Sequence, residues 1–368
     1  MKNFLLLFIS TSLVFILIEC TVRIFFPQNL IYYNYDIWRP DDLYGWRHNE
    51  NAKTKFNGAG AGVVNFVSDE NGFRVNVKKD DDAIHYKYEI LALGDSFLEA
   101  LQVENKDTFI ELAKKKIQID GNVNFYNTGV GGWDPNHYLI QTKEFLINNK
   151  VDLGIIFFYV GNDVVHYNSD KISPRKMSAS KFHFPSDFSY RSFIKSILRP
   201  LNDRLERKSH FFLFLKDRFS NFLTKLGLSA RYFPSIFYIN EKNAYKWENT
   251  VNICYEIDQQ FKKFNIPTMF ILLPTPYQYN EDIFKDYISS FSLDVENIDI
   301  HQPQKILTNL MIEKNINVLD PLPFMKNKGR QFKSGLYGKI DNHFNKNGHN
   351  ILSEYLIIEI EEILKVRE

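Results

Sequence analysis

From residue 88 onward, short apolar runs take turns with stretches whose apolar residues recur at helical spacing, and few folds accept that alternation. Residues 88–93 read as a continuous apolar-rich strand, 107–117 as a helix, 122–130 as a second strand and 135–148 as a second helix. The run "DLGIIFFYV" (152–160) is apolar on both faces, as a central parallel strand requires. Residues 266–274 and 316–320 supply a fourth and a fifth strand. Residues 346–365 close the chain as an amphipathic helix, with Leu352, Leu356, Ile360, Ile363 and Leu364 along one stripe. The pattern predicts an α/β architecture, a five-stranded parallel sheet with helices on both faces.

The 368 residues suffice for one large domain, and 44% hydrophobic with 24% charged residues suits a chain with a substantial core. Lys+Arg 45 against Asp+Glu 44 leaves a formal charge of +1, so no overall field gathers nucleic acid, and no nucleic-acid partner is expected. Lys114, Lys115 and Lys116 sit beside apolar helix positions and read as a solvated helix face. The two cysteines, Cys20 and Cys254, are not expected to pair and lack the spaced partners of a zinc site.

The N-terminus, "MKNFLLLFISTSLVFILIECTVRIFFP", is apolar from Phe4 to Ile18 and again after Arg23. Residues 1–26 are long enough to cross a bilayer core of ~30 Å as a single helix. No small-x-small cleavage site follows the apolar core, which favours an uncleaved anchor over a cleaved leader. Glu19 and Arg23, four residues apart, can pair near the bilayer edge. Lys2 favours an inside N-terminus and Arg23 argues mildly against it; the expectation is a single-pass protein with its main domain on the extracytoplasmic side.

Residues 27–85 read as a tether with short irregular strands, with a turn at Asn71-Gly72 inside "NFVSDENGFRV". "GAGAGVV" (58–64) has glycines at phosphate-loop spacing but no strand before it and no helix after it, so it reads as a flexible turn. Residues 86–368 form the main domain, interrupted at about 165–245 by a segment rich in Phe, Lys, Arg and Ser. That segment reads as a helical insertion, either a lid or additional core.

Open parallel sheets carry their ligand sites at the carboxyl ends of the strands. The polar residues expected there are Asp95 and Ser96, then Asn127, Gly129, Gly131 and Gly132, then Gly161, Asn162 and Asp163, then Thr275 and Gln278, then Asp320. Just before the last helix, "KIDNHFNKNGH" adds Asp341, His343 and His349. This set holds what serine-based acyl transfer needs. A hydroxyl is a weak nucleophile near neutral pH and needs an imidazole to take its proton. A carboxylate orients that imidazole. Backbone N–H groups and a side-chain amide await the oxyanion. Asp95 and Asp163 read as acceptors that fix their loops; Trp133, Asp134, Tyr159 and Gln278 either line the substrate side or serve in packing or capping.

The four blocks resemble those of the SGNH (GDSL-type) hydrolases. "GDSF" is similar to the first, which implies Ser96 as nucleophile with its N–H an oxyanion donor. "NTGVGGW" resembles the second, where alignment on the leading Asn implies Gly132 as the oxyanion glycine, with Gly131 the alternative. "VGNDV" resembles the third, implying Asn162 as the amide donor. "DNHFNKNGH" resembles the fourth, implying His343 as base and Asp341 as its orienting acid. The family usually places that Asp three residues before the His, whereas here Ile340 holds that position and Asp341 lies two before. His349 is the alternative base, but Asn345 reads as the cap of the final helix, which leaves His349 inside it. The resemblance implies a three-layer α/β/α sandwich of flavodoxin-like SGNH type. It also implies a serine esterase that needs no cofactor and no metal, acting on a small-molecule or glycan ester. Its alternatives are an O-acyltransferase acting on cell-surface polysaccharide and a non-catalytic carbohydrate-binding relative.

Overall fold

The computed structural model describes residues 2–28, 30, 35–57, 62–76, 86–117, 122–164, 201–226, 235–239, 244–291, 295–338 and 342–365. The apolar N-terminus is one helix, α1 (Lys2–Phe25). Two antiparallel hairpins follow, β1 (Trp38–Asp41) with β2 (Gly45–His48), and β3 (Lys53–Phe56) with β4 (Val64–Val67). The turn expected at Asn71-Gly72 is present. Asp69 Oδ1 accepts the N–H groups of Asn71 and Phe73, each at 2.9 Å, and Gly72 takes φ +81°, a value that favours glycine. Residues 58–61 of the glycine-rich run lie outside the described residues.

The alternating pattern then becomes β5 (Tyr86–Gly94), the single turn α2 (Ser96–Glu99), α3 (Phe109–Lys116), β6 (Asn122–Asn127), α4 (Pro135–Asn148) and β7 (Leu153–Tyr159). Of the insertion, 165–200, 227–234 and 240–243 lie outside the described residues, and "SHFFLFLKDRFSNFL" contributes α5 (His210–Lys225). The sheet resumes after α6 (Ala244–Lys262) with β8 (Thr268–Leu273), α7 (Pro276–Tyr279), α8 (Glu281–Phe291), α9 (Gln302–Glu313), β9 (Val318–Leu319), α10 (Leu322–Gly329) and α11 (Lys346–Lys365).

The five strands β5–β9 form one sheet in the order β6-β5-β7-β8-β9, every pair parallel, as the alternation predicted. Successive strand residues point to opposite faces. Leu91, Leu93, Ile156, Phe158, Phe270 and Leu272 pack with α4, α6 and α9. Ile90, Ala92, Ile155, Phe157, Met269 and Ile271 pack with α3 and α11. All twelve are fully buried, and each large side chain among them contributes about 1.5–3 kcal/mol relative to exposure. The result is the three-layer α/β/α sandwich.

Four strands stop earlier than the apolar runs suggest, β7 and β8 by a single residue. β6 ends at Asn127 because its side-chain oxygen accepts the Gly129 N–H at 3.0 Å, which turns the chain out of the ladder. β9 ends at Leu319 because Asp320 accepts the Leu322 N–H at 3.0 Å and Pro321 has no N–H to give. Gly154 in β7 meets the ring of Phe261 on α6, where an added Cβ would lie 2.6 Å from Cε1 and Cζ. Both residues are buried. Gly154→Ala is therefore expected to lower stability by about 1–3 kcal/mol, read as a drop in denaturation midpoint at unchanged m-value.

Candidate active site

The chain passes from β5 into α2 with no intervening loop. Asp95 caps the helix: its Oδ1 accepts the Phe97 N–H at 2.9 Å and its carbonyl accepts Leu98 and Glu99. Ser96 is thus the first residue of α2, and its N–H is one of the leading helix amides that no carbonyl of the same helix can reach. Glycine is needed at 94, because a Cβ there would sit 2.8 Å from Leu98 Cβ and force α2 off the strand.

Although 247 positions apart in sequence, His343 Nε2 lies 2.7 Å from Ser96 Oγ. Both side chains are half-buried. His343 is held by the segment before α11, where Tyr337 and Phe344 form an antiparallel bridge and Gly338 donates its N–H to the His343 carbonyl at 2.9 Å. Asn345 caps α11, accepting the N–H groups of Asn347 (2.8 Å) and Gly348 (3.1 Å). His349 therefore lies inside α11, fully buried, with its Nδ1 accepting the Phe109 N–H at 3.3 Å. Burial pulls its pKa down to about 3, so it stays neutral and bonded away from Ser96. Asp341 lies outside the described residues.

Sequence reasoning missed what supports the imidazole. Phe97 stacks on Tyr159 with centroids 3.9 Å apart, and its ring lies 4.7 Å from that of His343 and 5.0 Å from that of Phe344. Tyr159 can take that place only because residue 161 is glycine: a Cβ there would fall 2.5 Å from the Tyr159 ring. An aromatic immediately after the serine was a visible signal, but nothing in the local sequence linked it to residue 343.

The exposed Asn162 uses Nδ2 to donate to Asp95 Oδ2 at 3.1 Å, which ties the third loop to the first. Burial pushes the Asp95 carboxyl up, while the Phe97 N–H, the charge of His343 and the Asn162 amide oppose that shift. Asp163 is buried behind it, accepting the Tyr159 N–H at 2.9 Å and the Tyr138 hydroxyl at 3.1 Å. Burial and the charge of Asp95 hold Asp163 well above the usual carboxylate range. Both aspartates fix loops, as their positions suggested.

Gly132 is exposed in the turn Val130–Trp133, closed by Trp133 N–H to Val130 O at 3.1 Å. Its φ of +80° is the third-position value of a type II turn and favours glycine. The hairpins before the sheet grip this turn. Trp46 Nε1 donates to Gly131 O and Trp133 Nε1 donates to Trp46 O, each at 2.9 Å, and Tyr44 stacks on Trp133 with centroids 4.9 Å apart. Beneath, the buried Glu99 accepts from Trp38 Nε1 at 2.9 Å and lies 2.7 Å from His48 Nε2; a Cβ on Gly131 would come within 2.7 Å of its Oε2. Arg74, also buried, donates to the carbonyls of Glu99, Ala100 and Val103, closing the end of α2. Trp133 and Gln278 are buried and bonded inside the structure rather than lining an open surface.

No protein-family model matches the sequence. No curated protein matches it either. Among solved structures, the chain is similar to a member of the lipolytic protein G-D-S-L family from Veillonella parvula (TM-score 0.38, 14% identity, 74% of this chain and 97% of that one). It is also similar to a lipase/acylhydrolase from Enterococcus faecalis (0.35, 13%, 75% and 96%). A third is a catalytic mutant of an acetylxylan esterase from Geobacillus stearothermophilus (0.40, 11%, 75% and 95%).

Proposed function

We propose that this chain is a serine esterase that hydrolyses acyl esters and is held at a membrane by α1. The observation that carries the reading is the 2.7 Å contact of His343 Nε2 with Ser96 Oγ at the carboxyl end of β5. Ser96 Oγ attacks the ester carbonyl as His343 Nε2 takes its proton. The N–H groups of Ser96 and Gly132 and the Asn162 amide hold the resulting oxyanion; that amide has two N–H bonds, of which Asp95 occupies one. The intermediate collapses to an acyl-serine as His343 gives the proton to the departing alcohol. Water then attacks the acyl-serine, losing its proton to His343, and the carboxylic acid and free Ser96 are regenerated. Asp341 is assigned the orientation of the His343 ring. The reading uses no cofactor or metal, and a sugar hydroxyl in place of water at the last step would make the same site an O-acyltransferase.

In α1, Asn3–Phe25 is long and apolar enough to cross a membrane. Its retention is supported by Glu19, which accepts the N–H groups of His210 and Phe211, each at 3.0 Å, and the Ser209 hydroxyl at 2.8 Å; removal of α1 would strip those partners. The main domain is assigned to the extracytoplasmic side.

A fluorophosphonate probe tests the site. Covalent labelling of the intact chain, mapped to Ser96 and lost in the His343→Ala variant at unchanged fold, is expected. A folded protein that takes no label at Ser96 would refute the esterase reading in favour of a non-catalytic relative. Products formed from an acyl donor with an added glycan then separate hydrolysis from transfer.

A further inference from the structure

Helix α5 carries Leu215, Phe219 and Phe222 on its surface, 48%, 61% and 56% exposed, and Leu226 follows just beyond its end at 54%. Their spacing of four, three and four residues puts them on one stripe. A stripe at helical spacing is the mark of a face built to be covered, yet the protein's own core takes a different side of the helix, through the buried Leu213. The helix is not isolated, because its first turns are bolted to α1. Glu19 accepts its leading amides, Arg23 donates to Lys208 O at 3.0 Å, and the Gln28 N–H donates to His210 Nδ1 at 2.8 Å. Phe211 meets Phe15 with centroids 6.4 Å apart, and Phe214 meets Phe26 at 5.6 Å.

The level of this junction identifies what covers the stripe. Glu19 lies six residues before the end of α1, or roughly 9 Å along its axis. A helix lying in a bilayer interface sinks its apolar face ~5–10 Å below the headgroups. A spanning α1 therefore delivers the start of α5 to the depth that an interfacial helix occupies. Around the junction, α1 itself carries exposed apolar side chains, with Ile24 and Phe25 both 70% exposed. Arg218, set over the Phe214 ring at 3.6 Å, supplies the basic flank that anionic lipid headgroups attract.

We propose that α5 is an interfacial membrane helix, whose Leu215–Phe219–Phe222–Leu226 stripe lies in the outer surface of a phospholipid bilayer beside the point where α1 emerges. Helix α5 also packs against α8, which follows β8 and α7 at the carboxyl edge of the sheet. The same contact therefore holds the Ser96 edge of the sheet close to the lipid. The inference rests on α1 crossing the membrane and is independent of the esterase reading.

The test places an environment-sensitive NBD probe on single cysteines in the full chain with Cys20→Ser, reconstituted into nanodiscs of phosphatidylglycerol and phosphatidylethanolamine. Probes at Phe219→Cys and Phe222→Cys are expected to shift to the blue and to lose emission when doxyl-labelled lipids are included, as a probe at Leu7→Cys on α1 does. A probe at Ile147→Cys, 76% exposed at the far end of α4, should do neither. The proposal is overturned if the probes at 219 and 222 behave like that at 147 while the probe at 7 is quenched. It is equally overturned if they shift to the blue without lipid quenching, which would mean that protein covers the stripe. A probe at 7 that escapes quenching removes the premise, and the proposal falls with it.

Discussion

Ser96→Ala is expected to abolish turnover of short-chain nitrophenyl esters, with kcat/KM falling by at least about 10⁴-fold, because the residual rate without a nucleophile comes from binding and oxyanion stabilisation alone. The substitution removes one oxygen from a half-buried position whose hydrogen-bond partner is a ring already packed against Phe97. The Asp95 cap, the α2 turn and the Gly94 approach to Leu98 do not depend on that hydroxyl. Thermal stability should therefore stay within ~0.5 kcal/mol of the parent. His343→Ala should give a loss of the same order, and the double variant should cost little more than either single one, since the two groups act as a unit. A Ser96→Ala protein that keeps full turnover would end the proposed mechanism.

How much of this arrangement was legible depended on whether its signal was local. Helices 135–148 and 346–365 carry their own limits: Asp134 and Asn345 are short polar residues at the cap positions, and the structure begins α4 and α11 at the next residue. The sheet was legible because buried parallel strands are apolar throughout, whereas its register, with Gly94 opposite Phe157, was not. The hairpins were another matter. Read as a tether with short irregular strands, residues 35–76 also hold Glu99 and Gly131 through Trp38, His48, Trp46 and Arg74. Trp46 and Gly131 are 85 positions apart, and a tryptophan in a short polar strand looks the same whether its N–H meets water or a carbonyl. The buried Glu99 gave equally little away, since its partners lie 51 and 61 positions upstream. The same holds for α1, whose Glu19 was paired on paper with Arg23 but also serves the start of a helix 190 residues downstream.

These long-range bonds give the three strand-end loops a common frame. The first two approach without side chains in the way: a Cβ on Gly129 would lie 2.6 Å from the Glu99 nitrogen, so the second loop crosses directly over α2. The third joins through Asn162 and Asp95. Stiffness of this kind is what oxyanion donors require, because donors that must reorganise during attack return much of what they contribute.

Asn162→Ala tests that frame and the proposed chemistry together, and the two effects separate. Loss of an oxyanion donor is expected to lower kcat by about 10²–10³-fold with little change in KM, because the amide acts on charge that develops only after attack begins. The same change leaves Asp95 Oδ2 without its amide partner in a fully buried site, at a cost of about 1–3 kcal/mol in stability. That cost should appear as a lower unfolding midpoint, and it should shrink as pH falls. Burial already raises the Asp95 pKa, and without the Asn162 amide to stabilise the charged form it rises further; below that raised value the neutral acid needs no such partner. Fluorophosphonate labelling of Ser96 should slow in Asn162→Ala, since phosphonylation also builds charge on an oxygen, but it should not vanish as it does in Ser96→Ala. A variant with the lower midpoint and an unchanged kcat would assign Asn162 to the framework alone and leave Ser96 and Gly132 as the donors.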